Sequence, residues 1–495
     1  MTTARWIAIP IVLAAATSAA AALVAAPGYR AYSIPTPGPV AGGVVRRGGA
    51  ILVGQGPAFT AKAEAVVRLD ANGATTVATG FNALGGFDLD ADGTLFVVDN
   101  ALEAPGADTG DTLFAIPDAL VRTEAVTAAG HEVVPKGTIP SAMDVLLLPD
   151  GAALVVDAAG PGAGRIVRVA GAGASDFITG LDYGGGLARA TDGSFFVGNV
   201  AADFTASIRR YDAAGRLLGA FAADLPGEYA HVFDADGNLL VSGEFSGSCT
   251  GRILAIPPGG GTPVERVRGF CFSTDLFFDA ARDELLALDA GASEIAAVCR
   301  DRDGDGVCDA DDDCPTAPDP AQQDTDGDGL ADACDPCTGA ALAGARLSIR
   351  GLGTPGRKAT LSLTGEMALP ASPALDPVAT GVRLLLGDGA VLDAAIPGGR
   401  FHRKTRSGWT ARKRTFTFRS RAGVEGIHTV VLRRARKRPG VFRLTVKGRG
   451  RDFAMGRSPV KVTFIAEAAA GQCAETRFTA AECTTNVKHA ALRCR

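Results

Sequence analysis

The chain has 495 residues, room for about three domains, and its 49 Lys and Arg against 54 Asp and Glu leave a net charge of −5. Five widely spread histidines argue against histidine-rich metal chemistry, and no G-x-S-x-G, H-E-x-x-H or Cys/His pairing marks a hydrolase or protease centre. The net charge hides a partition of −13 over residues 1–300, −12 over 301–337 and +20 over 338–495, which marks modules with different surfaces.

Arg5 precedes the apolar run IAIPIVLAAATSAAAALVAA, which ends in small residues. Residues 1–26 read as a secretory signal peptide cut between Ala20 and Ala26. The run is nearly long enough to cross a bilayer, so an uncleaved anchor is the alternative. No second apolar stretch follows, and no transmembrane span is expected after cleavage. Ten cysteines, an even number, suit an oxidising compartment. They cluster as Cys249/Cys271, Cys299 to Cys337 and Cys473/Cys483/Cys494, which suggests bridges local to each module. A secreted location, periplasmic or extracellular, is expected.

From about residue 31 to 300 the chain repeats an apolar strand, a turn and a second apolar strand. The copies are GFDLDADGTLFVVDN, MDVLLLPDGAALVVDA, GGLARATDGSFFVGN, AHVFDADGNLLVSGE and TDLFFDAARDELLALDA, with a weaker AGGVVRRGGAILVGQ from Ala41. Each is a hairpin signal. Turns at Gly49, Gly93, Gly151, Gly193, Gly237 and Glu284 are 44, 58, 42, 44 and 47 residues apart. Two further short strands follow most copies, and four strands at this period describe propeller blades. The 58-residue gap points to a loop insertion near Asp118 to Pro140. The unit resembles NHL-type and gluconolactonase-type (SMP-30-like) blades, with the pattern G-h-x-x-D-x-x-G-x-h-h-h-x-D, and six copies predict a six-bladed β-propeller. That resemblance implies a divalent metal site near one channel mouth. Polar residues ending the second strands, Asp99, Asp157, Asn199 and Glu244, are the candidates, and His231 is a candidate acid/base partner. The plainer role for Asp or Asn at this place is to cap the strand and build the turn.

Residues 301–337, DRDGDGVCDADDDCPTAPDPAQQDTDGDGLADACDPC, hold two copies of D-x-D-x-D-G-x-x-D, 23 residues apart. Hard cations take six to eight oxygens, supplied by carboxylates at alternate loop positions with glycine at the sixth. Asp301, Asp303, Asp305, Asp309 and Asp312 fill positions 1, 3, 5, 9 and 12 of the first copy, with Gly306 at 6 and the Val307 carbonyl at 7. Asp324, Asp326, Asp328, Asp332, Asp335, Gly329 and Leu330 match them in the second. Ca²⁺ is the expected ion, at an affinity on the order of 10⁻⁴ to 10⁻³ M per site because no bidentate Glu stands at position 12. A paired EF-hand or dockerin needs helices after each loop, and Pro315, Pro318 and Pro320 oppose one here. The segment closely resembles the thrombospondin type 3 repeat through Cys314, Pro315, Asp319, Pro320 and Gln322. The resemblance implies a nearly helix-free wire wound around calcium and pinned by a Cys314–Cys334 bridge. Cys308 is left to pair with Cys337 or with Cys299.

Beyond Cys337 short alternating segments bounded by Gly and Pro turns run from ARLSIRGL through VKVTFIAE. About eight strands suggest a β-sandwich over 338–495, closed by a cysteine-stapled tail. Basic runs at Phe401 to Arg414 and Arg433 to Gly440 suit anionic polysaccharide, lipopolysaccharide or an extracellular matrix polymer through 401–440, without specific nucleic-acid readout. Phe416 and Phe418 alternate onto the face opposite Arg419 and read as core. The alternative for the basic runs is protection of strand edges.

The sequence thus predicts an all-β chain: a six-bladed β-propeller, a short calcium-wrapped irregular segment and a C-terminal β-sandwich. The expected role is extracellular binding or adhesion, with calcium structural and fixing domain orientation. A metal-dependent lactonase or lyase on the propeller face is the alternative.

Overall fold

The computed structural model describes residues 22–57, 62–100, 111–203, 205–227, 230–243, 249–325, 330–335, 337, 341–351, 359–387, 391–450, 460–467, 472–486 and 491–495. The signal segment up to residue 21, and with it part of the predicted cleavage region, lies outside them. The described chain is all-β apart from one four-residue helix, Pro377–Thr380, and a short 3₁₀ turn. Among the described residues no helix is long and apolar enough to cross a membrane. Two compact units emerge, Met1–Asp311 and Asp312–Arg495, so the division falls inside the acidic segment.

The first unit is a ring of six sheets, antiparallel apart from one short added strand. Their inner strands are Val40–Arg47, Leu84–Leu89, Ala142–Leu147, Tyr183–Arg189, His231–Phe233 and Ser273–Asp279. Each inner strand packs on the next, and Ser273–Asp279 returns to Val40–Arg47, which closes a six-bladed propeller. Closure also uses the chain's beginning. Tyr29–Ile34 forms the outermost strand of the sixth blade, paired to Glu294–Arg300 from Tyr29↔Arg300 to Ile34↔Ile295. Val24–Ala25, inside the stretch read as the end of the signal, pairs with Arg268 and Val267 of the fifth blade.

The long spacing between the second and third copies is not a simple face loop. Its Val126–Thr127 lies parallel to Gly73–Phe81 and extends the first blade; Ala128 joins the core shared by the first and second blades, and Val134 and Ile139 join the core between the second and third. The glycine pairs of the inner strands follow from crowding at the axis. A Cβ on Gly86 would stand 2.2 Å from the Asp144 carboxylate, and one on Gly186 would stand 2.7 Å from the His231 nitrogen. Neither approach leaves room for a side chain.

The second unit is a two-sheet sandwich. One sheet has eight strands, in the spatial order Ser407–Arg412, Thr415–Val424, Ile427–Arg434, Val441–Arg449, Thr360–Ala368, Ala343–Arg350, Ala491–Cys494, Cys483–Asn486. The other has four: Leu392–Ile396, Val382–Leu386, Val460–Glu467, Gln472–Phe478. Alternation sets the two faces, as in Val441–Arg449, where Phe442, Leu444 and Val446 are buried and Arg443, Lys447 and Arg449 are exposed. Leu347, Leu363, Phe418 and Leu444 from the large sheet share one core with Leu384, Leu392 and Phe464 from the small one. Trp409 is buried in it and donates its Nε1–H to the Pro397 carbonyl at 2.9 Å. All eight expected strands form, and Ser407–Arg412, Gln472–Phe478, Cys483–Asn486 and Ala491–Cys494 join them.

Five disulfides use all ten cysteines: Cys249–Cys271, Cys299–Cys308, Cys314–Cys334, Cys337–Cys473 and Cys483–Cys494. The Cys337–Cys473 bridge spans 136 residues, which corrects the expectation of purely local bridges. The reason is a strand pairing: just past Cys337, Ala341 bridges Glu475 and Leu342 donates its N–H to the Glu475 carbonyl, which brings Cys473 alongside.

Candidate metal and ligand sites

The polar residues that end the second strands share one structural task. Asp99 accepts the N–H groups of Ala83 at 2.7 Å and Asn82 at 3.0 Å. Asp157 accepts the Ser141 N–H and pairs with Arg165 Nε at 2.9 Å. Asn199 accepts the Asp182 N–H and donates its amide to the Asp182 carboxylate. Asp289 accepts from Cys271, Phe272, Gly291 and Ala292. In these four blades, then, the side-chain oxygen fastens the loop that enters the inner strand. Among the described residues no group of three His, Cys, Asp or Glu side chains within 4.8 Å includes Asp99 or Asp157, and the oxygens of Asp99, Asp157 and Asn199 are engaged in capping. Glu244 lies outside the described residues. His231 is buried, with Nε2 at 2.8 Å from the Phe196 carbonyl of the preceding blade.

Sequence reasoning missed a second set of carboxylates, on the inner strands. Asp88 accepts the Leu147 N–H at 2.7 Å, Asp144 the Leu187 N–H at 3.0 Å and Asp275 the Val44 N–H at 2.8 Å. Each bond joins one blade to the next. Burial, reinforced by the Asp144 charge and then by Asp88, pushes the Asp275 carboxyl well above the ordinary range, and burial also raises Asp88. The signal was present in GFDL, MDVL and TDLF, where an Asp interrupts an otherwise apolar inner strand.

In the acidic segment the first loop coils around its own carboxylates. Asp301 is buried and accepts the N–H groups of Gly304 at 2.8 Å and Gly306 at 3.1 Å. Asp305 accepts the Val307 N–H at 2.8 Å. Gly306 sits at φ +90°, a left-handed conformation that suits glycine at the sharp turn. Asp301, Asp303 and Asp305 each bring an oxygen within 4.8 Å of the others. Asp309 pairs with Arg302 Nε at 2.8 Å, and Asp312 accepts the Cys314 N–H.

The second loop repeats this frame. Asp309 N–H to the Arg300 carbonyl is matched by Asp332 N–H to the Gln323 carbonyl. Arg302 N–H to Asp309 is matched by Thr325 N–H to Asp332, and Cys314 N–H to Asp312 by Cys337 N–H to Asp335. Every pair is offset by the 23 residues of the sequence repeat. Asp326, Asp328 and Gly329 lie outside the described residues, while Asp324 and Leu330 are described. Asp335 differs from its counterpart: it is buried beside Lys461 Nζ at 3.5 Å, and the same ammonium reaches Glu475 at 2.8 Å. Thr463 donates to the other Glu475 oxygen. This inward lysine on Val460–Glu467 carried no mark in the sequence.

The chain matches no protein-family model and no curated protein. Among solved structures, a gluconolactonase from Xanthomonas campestris is similar at 14% identity, covering 56% of this chain and 98% of that one, with a TM-score of 0.38. Regucalcin, a calcium-binding protein from Agrobacterium tumefaciens, is similar at 15%, covering 53% and 90%, with a TM-score of 0.39. An aldose sugar dehydrogenase from Streptomyces coelicolor, solved with PQQ bound, is similar at 13%, covering 56% and 99%, with a TM-score of 0.40. At such scores these likenesses say nothing about chemistry, and the propeller rests on the closed ring of sheets described above.

The buried charges generate two predictions. Burial lifts the Asp99 carboxyl to about 6 from its ordinary 3.8, against the pull of its N–H donors. A folded-state value above the unfolded one gives stability that is complete below the unfolded value and lost as pH rises through the folded one. Asp99→Asn, the amide already used at Asn199, should therefore flatten the fall in stability between about pH 4 and pH 7 relative to wild type, read by urea unfolding at stepped pH. Lys461→Met should cost about 3–5 kcal/mol at neutral pH, because two buried carboxylates lose their cation. Acid should restore part of it as the carboxylates protonate, whereas a merely packing-related loss would not depend on pH.

Proposed function

We propose that this chain is an exported, calcium-binding modular protein whose propeller and sandwich serve extracellular binding. The observation that carries this reading is the loop in which Asp301, Asp303 and Asp305 converge, in a hydrogen-bond frame that recurs one repeat later. Three ionised carboxylates at such range repel one another unless a cation lies among them, and a hard divalent ion prefers an all-oxygen set. Asp301, Asp303, Asp305 and the Val307 carbonyl would hold the ion in the first loop, and its charge would neutralise the segment. Asp324, Asp326, Asp328 and Leu330 are the matching set in the second loop. Asp335 already has the Lys461 ammonium as its cation, so the second loop is expected to bind more weakly. The same residues support a thrombospondin type 3-like segment. Five disulfides support an oxidising compartment outside the cytoplasm, where millimolar free calcium suits sites of this strength.

A second reading, a metal-dependent lactonase or lyase on the propeller face, is favoured by one observation: Asp88, Asp144 and Asp275 stand on inner strands of three blades, close enough for Asp144 and Asp88 to raise Asp275. Calorimetric titration of the oxidised full chain with CaCl₂ separates the two. Saturable binding is expected at on the order of 10⁻⁴ to 10⁻³ M. It should fall by at least one site in Asp303→Asn with Asp305→Asn and persist in Asp144→Asn. Binding that survives the loop substitutions but vanishes in Asp144→Asn would place the ion on the axis and put the enzyme reading first. Chelator should also quicken proteolysis between 301 and 325, and equal cleavage with and without calcium would defeat the structural role.

A further inference from the structure

The outer face of the eight-stranded sheet carries a concavity of about 470 Å³ lined by Arg406, Arg419, Arg421, Lys447 and Arg449, with Phe401 at its edge. We propose that this hollow is a binding site for an acidic glycan, a sugar polymer bearing carboxylate or sulfate groups. The inference concerns a different place from the calcium loops and does not depend on them.

Strand geometry explains how the cations come together. Arg419 and Arg421 are two residues apart on Thr415–Val424 and both are exposed, so they share a face about 6.7 Å apart. Arg419 pairs in register with Thr429, and Thr429 with Lys447, which sets Arg419 and Lys447 two strand spacings apart, about 9.6 Å. Arg449 follows Lys447 by two residues on the same face. The chain's return brings the Arg406 backbone to Arg421 through the Arg421 N–H and Arg406 carbonyl.

None of these five cations has an acidic partner among the described residues. Other basic residues of the same unit do: Arg383 pairs with Asp393, and Arg438 and Arg443 pair with Glu366. Like charges gathered on one concave surface raise the local potential and recruit anions. Arginine adds a planar fork that meets carboxylate or sulfate with two hydrogen bonds. The spread of charge over three strands exceeds one small anion and fits a chain with repeated charges.

The neighbours favour a sugar over a nucleic acid. The Thr429 side chain, in register between Arg419 and Lys447, supplies a hydroxyl group along the hollow, suited to a polyhydroxyl ligand. Phe401, 36% exposed, is the one Phe, Tyr or Trp among its lining residues, and Trp409 and Phe418 are locked in the core. Single-stranded nucleic acid is held by several stacking aromatics in a row, and the lining of this hollow has no such row. The site also refines the sequence expectation. Of the run Phe401 to Arg414 only Phe401 and Arg406 line the hollow. In the run Arg433 to Gly440, Arg434 lies over the Phe442 ring and Arg438 is paired with Glu366.

The test is retention and titration of the full oxidised chain on dextran sulfate and on polygalacturonate, with neutral dextran and a DNA duplex beside them. Binding to at least one charged glycan is expected, weakening as salt rises, with none to neutral dextran. Arg419→Gln with Lys447→Gln should weaken it about tenfold or more, since charge-assisted hydrogen bonds to an anionic ligand are among the stronger polar interactions. Arg383→Gln with Arg493→Gln removes the same charge elsewhere and should change it by less than about twofold. These side chains are exposed, so unchanged unfolding midpoints are expected in both variants. Equal losses in the two double variants would reduce the effect to net charge and overturn the site. Tighter binding to DNA than to either glycan would overturn the ligand class. No binding to either glycan at low salt would overturn the proposal outright. Within a positive result, the stronger of dextran sulfate and polygalacturonate assigns sulfate or carboxylate recognition.

Discussion

A closed ring of blades leaves backbone N–H groups on the innermost strands, where no further strand can pair with them and water has little access. Unpaired buried donors are costly, and this propeller answers with carboxylates. Asp88, Asp144 and Asp275 each reach across to the next blade's N–H, while Asp99, Asp157 and Asp289 fasten the loops that feed the inner strands. The ring geometry therefore depends on buried acids, with Asp99 and Asp157 among its fasteners. Accepting several N–H bonds compensates a buried carboxylate only in part, and the raised carboxyls of Asp99 and Asp275 mark where desolvation wins.

The same side chain serves a different purpose in the acidic segment. There the carboxylates sit at alternate positions on a backbone without a ladder, so the loop turns around them. Hydrogen bonds such as Asp301 to Gly304 and Gly306 fix the curl but use only part of each carboxylate's accepting capacity. Where a protein cation can reach, it takes the remaining charge, as Lys461 does at Asp335. Buried ion pairs of this kind fix one arrangement more than they add stability. Here the pair, the Cys337–Cys473 bridge and the Leu342–Glu475 backbone bond all hold the segment's end to one sheet.

Much of the fold was legible because it rests on periodicity. Six hairpin signals at a near-constant spacing gave the blades, and apolar alternation gave the eight main strands of the sandwich. What escaped lacked a local signature. Val126–Thr127 is two residues long and takes its strand identity from the blade it lies against. Gln472–Phe478 reads as a polar cysteine-bearing tail, yet it forms an edge strand of the small sheet with Cys473 and Ala474 buried. Cys337 bridges to Cys473, 136 residues away, and Lys461 reaches back 126 residues to Asp335, and only the folded register identifies these partners. The candidate site followed the same division. The repeat in 301–337 could be read from spacing alone, whereas each axial aspartate is a single polar residue in an apolar strand, and only the folded ring shows that it holds a neighbouring blade's N–H. The basic runs were visible, but which arginines face one another depended on cross-strand register at Arg419, Thr429 and Lys447.

These arrangements set the modules against each other in their response to protons. Cation binding by carboxylates competes with protonation, so a calcium-loaded loop is weakened as pH falls. The propeller axis behaves in the opposite sense, since acids with raised folded-state values contribute most when protonated and progressively less as pH rises. Arginine and lysine, whose ordinary values lie above that range, supply most of the charge of the basic hollow. A drop in pH would thus loosen the acidic segment while it firms the propeller and leaves the hollow cationic. Carboxylates thus serve the propeller as buried acceptors, while in the acidic segment they are the groups whose protonation a bound cation would oppose.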